Sequence, residues 1–193
     1  MTIAPVYIDD IIEEVTQATS DEVLTTIQTN ETEALGKSSL IQQIRFSKSS
    51  FDELIETLFQ ADKSSEERFK KYPLVHLVQD ISIERGSDIG FYGSTNLTIV
   101  FIHQTQQTFK TDERDEKVFK PVLWPIYYEF MEQLKRSAWI TNPWQNTGEF
   151  RHRVIKRAFW GNRQLKASEN ILNDYVDAIE VQNLQLKINY SNC

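Results

Sequence analysis

The chain has 193 residues, a 40% hydrophobic share and a net charge of −7, which suits one domain with a real core and argues against a nucleic-acid-binding domain. A lone cysteine, Cys193, excludes an internal disulfide. No run reaches the about 18 apolar residues of a membrane span, and "MTIAPVYIDD" lacks the basic and apolar regions of a secretory signal, so a soluble product made in the cytoplasm is expected.

Residues 1–36 contain eight acids (Asp9, Asp10, Glu13, Glu14, Asp21, Glu22, Glu31 and Glu33) and no Lys or Arg. Ile8, Ile11, Ile12 and Val15 fall at i, i+3, i+4 and i+7, which predicts a short amphipathic helix. The polar, turn-rich "TNETEALGKSS" then predicts a loop. That stretch also suits an arm that orders only against something else, so residues 1–39 are expected to be an acidic N-terminal arm with a short helix and residues 40–193 a single α+β domain.

In that domain Leu40 to Ser47 predicts a strand with Leu40, Ile44 and Phe46 on one face. Phe51, Leu54, Ile55, Leu58 and Phe59 predict a helix from Phe51 to Gln60, and Ser50 with Glu53 matches a capping box. The charged "ADKSSEERFKKYP" connects it to two long strand candidates, "LVHLVQDISIE" and "LTIVFIHQT", joined as a hairpin by the glycine-rich "RGSDIGFYGST". "TDERDEK" predicts a solvated loop.

The stretch "VFKPVLWPIYYEFMEQLKRS" carries an apolar stripe: Phe119, Val122, Leu123, Ile126, Tyr127, Phe130 and Leu134. Pro125 is harmless only in a first turn, so the helix should begin there, with Val118 to Trp124 a bent or separate turn. The stripe predicts cover for a sheet, leaving Trp124, Tyr128 and Met131 for a partner. "FRHRVIKRAFW" predicts a strand with its basic residues outward, and "GNRQLKASEN" a loop. In the last strand Leu184, Leu186, Ile188 and Tyr190 share one parity and Ile179 and Val181 the other, which requires a bulge or turn near Asn183. The expected fold is α+β, a small mainly antiparallel sheet flanked by helices.

No constellation announces a reaction. His76 and His103 sit inside predicted strands without nearby cysteines, and a zinc site needs about four closely held ligands. Asp115-Glu116-Lys117 has the minimal shape of a nuclease site but lies in a predicted loop, where no rigid strand holds it. There is no G-x-S-x-G elbow and no P-loop lysine. The expectation is no enzyme, no metal and no cofactor.

Charge is the strongest asymmetry. Arg151, Arg153, Lys156, Arg157, Arg163 and Lys166 crowd a span without acids, opposite in sign to residues 1–36. The two ends could pair within one chain as ordinary surface. One subunit's arm could instead meet the next subunit's basic strand, a head-to-tail contact that closes a ring when repeated. Phosphate contact through the basic strand is the third reading, limited by the negative total.

"RFKKYPLVHLVQDISIERG", "NLTIVFIHQT", "VFKPVLWPIYYEFMEQL" and "NDYVDAIEVQNLQLKI", in that order, resemble segments of small structural proteins of tailed phages and prophages of Bacteroides-type hosts, the crAss-like phages among them. The match spans roughly Ile44 to Asn189, and residues 139–166 are not mapped onto the tail-terminator fold. The element order also resembles the tail-terminator and neck-connector fold. That resemblance implies a non-enzymatic virion protein, made in the host cytoplasm, whose subunits form a homo-oligomeric ring around the DNA channel at the head-tail junction. Its partners would be other neck, portal or tail proteins, with DNA passing unread and no membrane involved. The expected interface residues are Asp9, Asp10, Glu13, Glu14, Arg151, Arg153, Arg157, Trp124, Tyr128, Leu184, Leu186 and Ile188. The alternative is a small soluble phage-encoded binding or assembly-chaperone protein that does not stay in the particle.

Overall fold

A computed structural model describes residues 7–63, 70–79, 81–85, 92–141, 150–160 and 174–189. The fold is α+β. Its elements are α1 (Ile8–Leu35), β1 (Arg45–Ser49), α2 (Phe51–Asp62), β2 (Leu74–Val78), β3 (Ser82–Arg85), β4 (Tyr92–Gln104), α3 (Thr111–Arg114), a π-helical segment (Asp115–Leu123), α4 (Trp124–Arg136), β5 (Ile140–Thr141), β6 (Arg153–Arg157) and β7 (Val176–Asn189). The seven strands form one sheet in the order β1-β2-β4-β7-β5, with β3 on β4 and β6 on β7. Only β1 and β2 are parallel, α2 being their crossover; every other pair is antiparallel.

Both faces of the sheet are covered. On one, α1, the π segment and α4 bury Phe101, Phe119, Phe130 and Leu186 in the larger core. On the other, Leu54, Ile55 and Leu58 of α2 pack with Val100, Ile102, Ala178 and Trp160. Every apolar residue of the α4 stripe is buried as expected. The α2 helix also starts as its sequence dictates: Glu53 N–H donates to Ser50 Oγ at 3.4 Å, and Ser50 N–H to Glu53 Oε2 at 3.0 Å.

The acidic segment differs from expectation. It is a helix of 28 residues, not a short one with a loop behind it, and its inner face belongs to the larger core. Beyond Val15 that face turns polar, with Thr16, Thr19, Ser20 and Glu31 buried, so the apolar period fades while the helix continues. Thr16 and Thr19 hydroxyls donate to the carbonyls of Ile12 and Val15, which leaves no polar group stranded. The helix ends at Gly36, whose φ of 64° suits a residue without Cβ.

Neighbouring boundaries shift for related reasons. Leu40 is 66% exposed and outside any strand, because residues 38–44 run along α1 before pairing starts at Arg45. Gln28 Nε2 donates to the Ile41 carbonyl at 2.8 Å and Ile44 N–H to Ser20 Oγ at 3.3 Å, which tethers that run. "LVHLVQDISIE" is two strands, and "TDERDEK" is helical instead of a loop. The "GNRQLKASEN" loop and Tyr190 lie outside the described residues.

The helix expected near Pro125 is entered without a break, through the π segment that contains Pro121. A proline inside a helix lacks its N–H and crowds the carbonyl four residues back, and a wider turn relieves both. Trp124 N–H accordingly bonds the Phe119 carbonyl, five residues back. Pro125 in turn leaves the Pro121 carbonyl without an in-helix donor, and Asn30 of α1 reaches it at 3.5 Å.

The long ladder between β4 and β7 contains the expected irregularity. Leu97 pairs with Leu184 and Ile99 with Val181, so β7 has one residue more than its partner there. Asn183 takes up the excess at a φ of 54°. That left-handed conformation is accessible to Asn or Gly but strained for a β-branched residue. Asn183→Val should therefore cost about 1–3 kcal/mol in urea unfolding, while Asn183→Gly changes stability by less than about 1 kcal/mol.

Candidate functional site

The expected interface residues divide by environment. Leu184, Leu186 and Ile188 are at most 1% exposed, and Met131 is buried as well. These residues are intramolecular core, not docking surface, because the bulge turns the end of β7 towards α4. Trp124 is half-buried and stacks on the exposed Tyr128, with ring centroids 5.7 Å apart. Tyr127 beneath them shares a 2.7 Å hydrogen bond with His152 Nε2, whose Nδ1 donates to the Phe150 carbonyl at 2.7 Å. The aromatic patch is thereby fastened to the segment that leads into β6.

The charged candidates separate likewise. Asp9 pairs with Lys48 of β1, and the hydrogen bond from that ammonium holds the Asp9 carboxyl below its usual value. Arg157 donates to Glu180 at 2.9 Å, and Lys156 pairs with Asp115. Asp10, Glu13 and Glu14 stand exposed on α1 without an ion pair among the described residues, and the exposed Arg153 side chain likewise has none. Arg151 is exposed too. The two ends of opposite charge do not meet within the chain among these residues. α1 packs chiefly on α4 and the π segment and also touches β1 and β2, whereas β6 pairs with β7 on the side away from β4.

Charges buried at the end of the sheet where β4 finishes and β7 begins went unread in the sequence. Arg114 Nη1 donates to Asp177 Oδ1 at 2.6 Å, with both side chains at most 4% exposed. The guanidinium also donates to the Phe109 and Gln106 carbonyls and lies 3.6 Å from the Phe159 ring centroid. Nearby, His103 Nε2 donates to Glu31 Oε1 at 2.9 Å and Ser39 Oγ to Glu31 Oε2 at 2.5 Å. Burial would raise the Glu31 pKa, yet the hydrogen bonds from His103 and Ser39 and the positive charges of His103 and Lys37 outweigh it and hold the carboxyl below its usual value. Lys71 pairs with Asp174 at the same end. A signal for these groups existed: His103 shares parity with Ile99 and Phe101, Asp177 with Ile179 and Val181, and Glu31 follows Ile27 by one helical turn.

His76 lies buried on the opposite face, where Nδ1 shares a 2.9 Å hydrogen bond with Ser47 Oγ. Burial pushes its pKa down to about 4, against a smaller opposing hydrogen bond with the Ser49 backbone. Asp115, Glu116 and Lys117 sit on the π segment, and each is engaged by a different partner: Lys156, Lys120 and Glu113. They do not converge on one point. No group of three or more His, Cys, Asp or Glu suited to a metal ion occurs among the described residues, and no helix there is long and apolar enough to cross a membrane. No protein-family model, no curated protein and no solved structure matches the chain.

Two outcomes follow from the buried groups. Arg114→Ala leaves Asp177 buried without its cation and should cost about 3–5 kcal/mol in denaturant unfolding, while Arg114→Leu with Asp177→Leu recovers most of that loss. His76 is neutral in the folded chain, whereas its unfolded form takes up a proton near pH 6.5, so folding stability falls as pH drops from 6.5 towards 4. Glu31 acts in the same direction, since its lowered pKa gives stability that is lost as pH falls through the folded value. Between pH 7 and pH 4, His76→Leu should lose about 3 kcal/mol less stability than the parent chain, measured by unfolding at each pH.

Proposed function

We propose that this chain is a non-enzymatic structural subunit that assembles head to tail into a ring, serving as neck connector or tail terminator at the head-tail junction of a tailed-phage particle. The separation of charge across the sheet carries the reading. Along its outer face α1 exposes Asp10, Glu13, Glu14, Asp21, Glu22 and Glu33, while β6 presents Arg153 beyond β7. Complementary patches so placed cannot satisfy each other inside one chain but can between successive copies, and such a contact closes when the rotation between copies is right.

The strand edges themselves favour this route over direct strand addition. The outer strand β1 carries Arg45 and Lys48, and β6 carries Arg153, Lys156 and Arg157. Charged side chains on edge strands resist pairing with other sheets. The contact thus runs from the outer face of α1 to β6. The phage setting rests on the four segments quoted above, and the overall charge of −7 suits a channel along which DNA slides without sticking. The stacked Trp124–Tyr128 pair favours the alternative, a soluble binding or assembly-chaperone protein absent from the particle, since aromatic residues are enriched at binding surfaces.

Native mass spectrometry of the purified chain, alone and with neighbouring neck or tail proteins, tests assembly. Arg153→Glu should abolish the ring while circular dichroism stays unchanged, and a partner copy carrying Glu13→Arg and Glu14→Arg should restore mixed assemblies. Unchanged rings in Arg153→Glu would rule out this charge contact. Absence of the chain from purified particles by mass spectrometry would reject the connector role in favour of the chaperone.

A further inference from the structure

We propose that a cavity between the C-terminal end of α1 and the end of β4 binds a small organic anion, a carboxylate with an apolar body. Its volume is about 460 Å³, within the range of small-molecule sites. One part of the wall is apolar, formed by Leu35, Ile41, Phe109 and Val118 with the exposed Leu40. The polar part includes Glu31, His103, Asp174, Lys37 and Lys117.

The sign of the ligand follows from which of these charges are already matched. Glu31 accepts from His103 and Ser39, and Asp174 is paired with Lys71. The lysines are less engaged. Lys37 makes no ion pair among the described residues, and Lys117 pairs with Glu113 at 3.0 Å, both side chains about a third or more exposed, with its ammonium 4.6 Å from the Phe109 ring centroid. Exposed pairs of that kind contribute little, so the charge left available on the wall is positive. His103 supplies an independent sign of an incomplete site. It is 5% exposed, and its Nδ1 has no hydrogen-bond partner, a rare condition for a buried polar atom. Leu40, 66% exposed, is a large apolar side chain that the fold itself leaves uncovered beside the cavity. A carboxylate directed at Lys37 and Lys117 places its hydrocarbon against Leu40, Ile41 and Phe109 and so covers the exposed leucine.

Benzoate is a suitable probe, with benzylammonium as a cation of matching body and inorganic phosphate as an anion without one. NMR spectra of the Val118 methyls and the His103 ring should shift saturably with benzoate and not with benzylammonium, and phosphate should bind at least about tenfold more weakly. Lys37→Glu should weaken benzoate binding about tenfold or more while circular dichroism shows the fold intact, because the residue is exposed and follows the end of α1. Leu40→Ser, also exposed, should weaken benzoate and leave phosphate unaffected. Absence of saturable shifts up to about 10 mM benzoate, equal binding of benzylammonium, or full affinity in Lys37→Glu would overturn the assignment. Phosphate binding as tight as benzoate would overturn its apolar half. None of these readouts depends on ring formation, so failure here leaves the assembly reading standing.

Discussion

The pairing of β4 with β7 is the constraint on which the rest of the molecule depends. The strands have thirteen and fourteen residues and hold the centre of the sheet, so every other strand pairs with one of them or, as β1 does, through β2. Side chains alternate faces along a strand, and a ladder this long offers two apolar faces that must both be covered. The α1–α4 layer covers one along much of its length, and α2 with Trp160 covers the other near Val100 and Ile102. Without the extra residue at Asn183, the parity that buries Ile179 and Val181 would turn Leu184, Leu186 and Ile188 away from α4. One left-handed residue is a small cost beside three large side chains lost from the core.

That geometry explains why the local architecture was legible and the charged site was not. The bulge, the α4 stripe and the Ser50–Glu53 box depend on residues within a few positions of each other, so periodicity and spacing reveal them. The length of α1 was hidden because Thr16, Thr19, Ser20 and Glu31 replace aliphatics on its inner face, and their burial is tolerable only through hydrogen bonds that the fold provides. Arg114 and Asp177, or Glu31 and His103, are brought together by the packing of α3 and α1 on the sheet ends. A pattern can place a polar residue inward, but its partner comes from tertiary structure. The exposed charges were legible individually, and only the fold revealed that the acids line α1 while Arg153 lies on β6, beyond β7.

Buried ion pairs are seldom a source of net stability, because desolvation of both charges offsets most of their attraction. Their concentration here does something else. Arg114, in the short helix that leads into the π segment, is held by Asp177 and by the carbonyls of Phe109 and Gln106, so the turn after β4 has one favourable arrangement. Glu31, bound to His103, docks the last turns of α1 on the same strand end. Register is what these pairs specify: an apolar contact tolerates a slip along α1, whereas a displaced Glu31 would leave two buried polar groups unmatched.

The same economy bears on assembly. Charges that serve the fold are matched inside it: Asp9 with Lys48, Lys156 with Asp115, Arg157 with Glu180. Among those left over, acids line the outer face of α1, Lys37 stands just past its end, and Arg153 lies on β6. A scattered remainder would suit a solvated surface, because mixed charges favour solubility without orientation. In the proposed assembly, acids on α1 and Arg153 on β6 would give the subunit a direction, and attraction between them would add with each copy joined. The twist of the seven-stranded sheet would then matter to the proposed ring, since the angle between the contact surfaces would set the rotation from one copy to the next and hence whether the chain of contacts closes or continues as a filament.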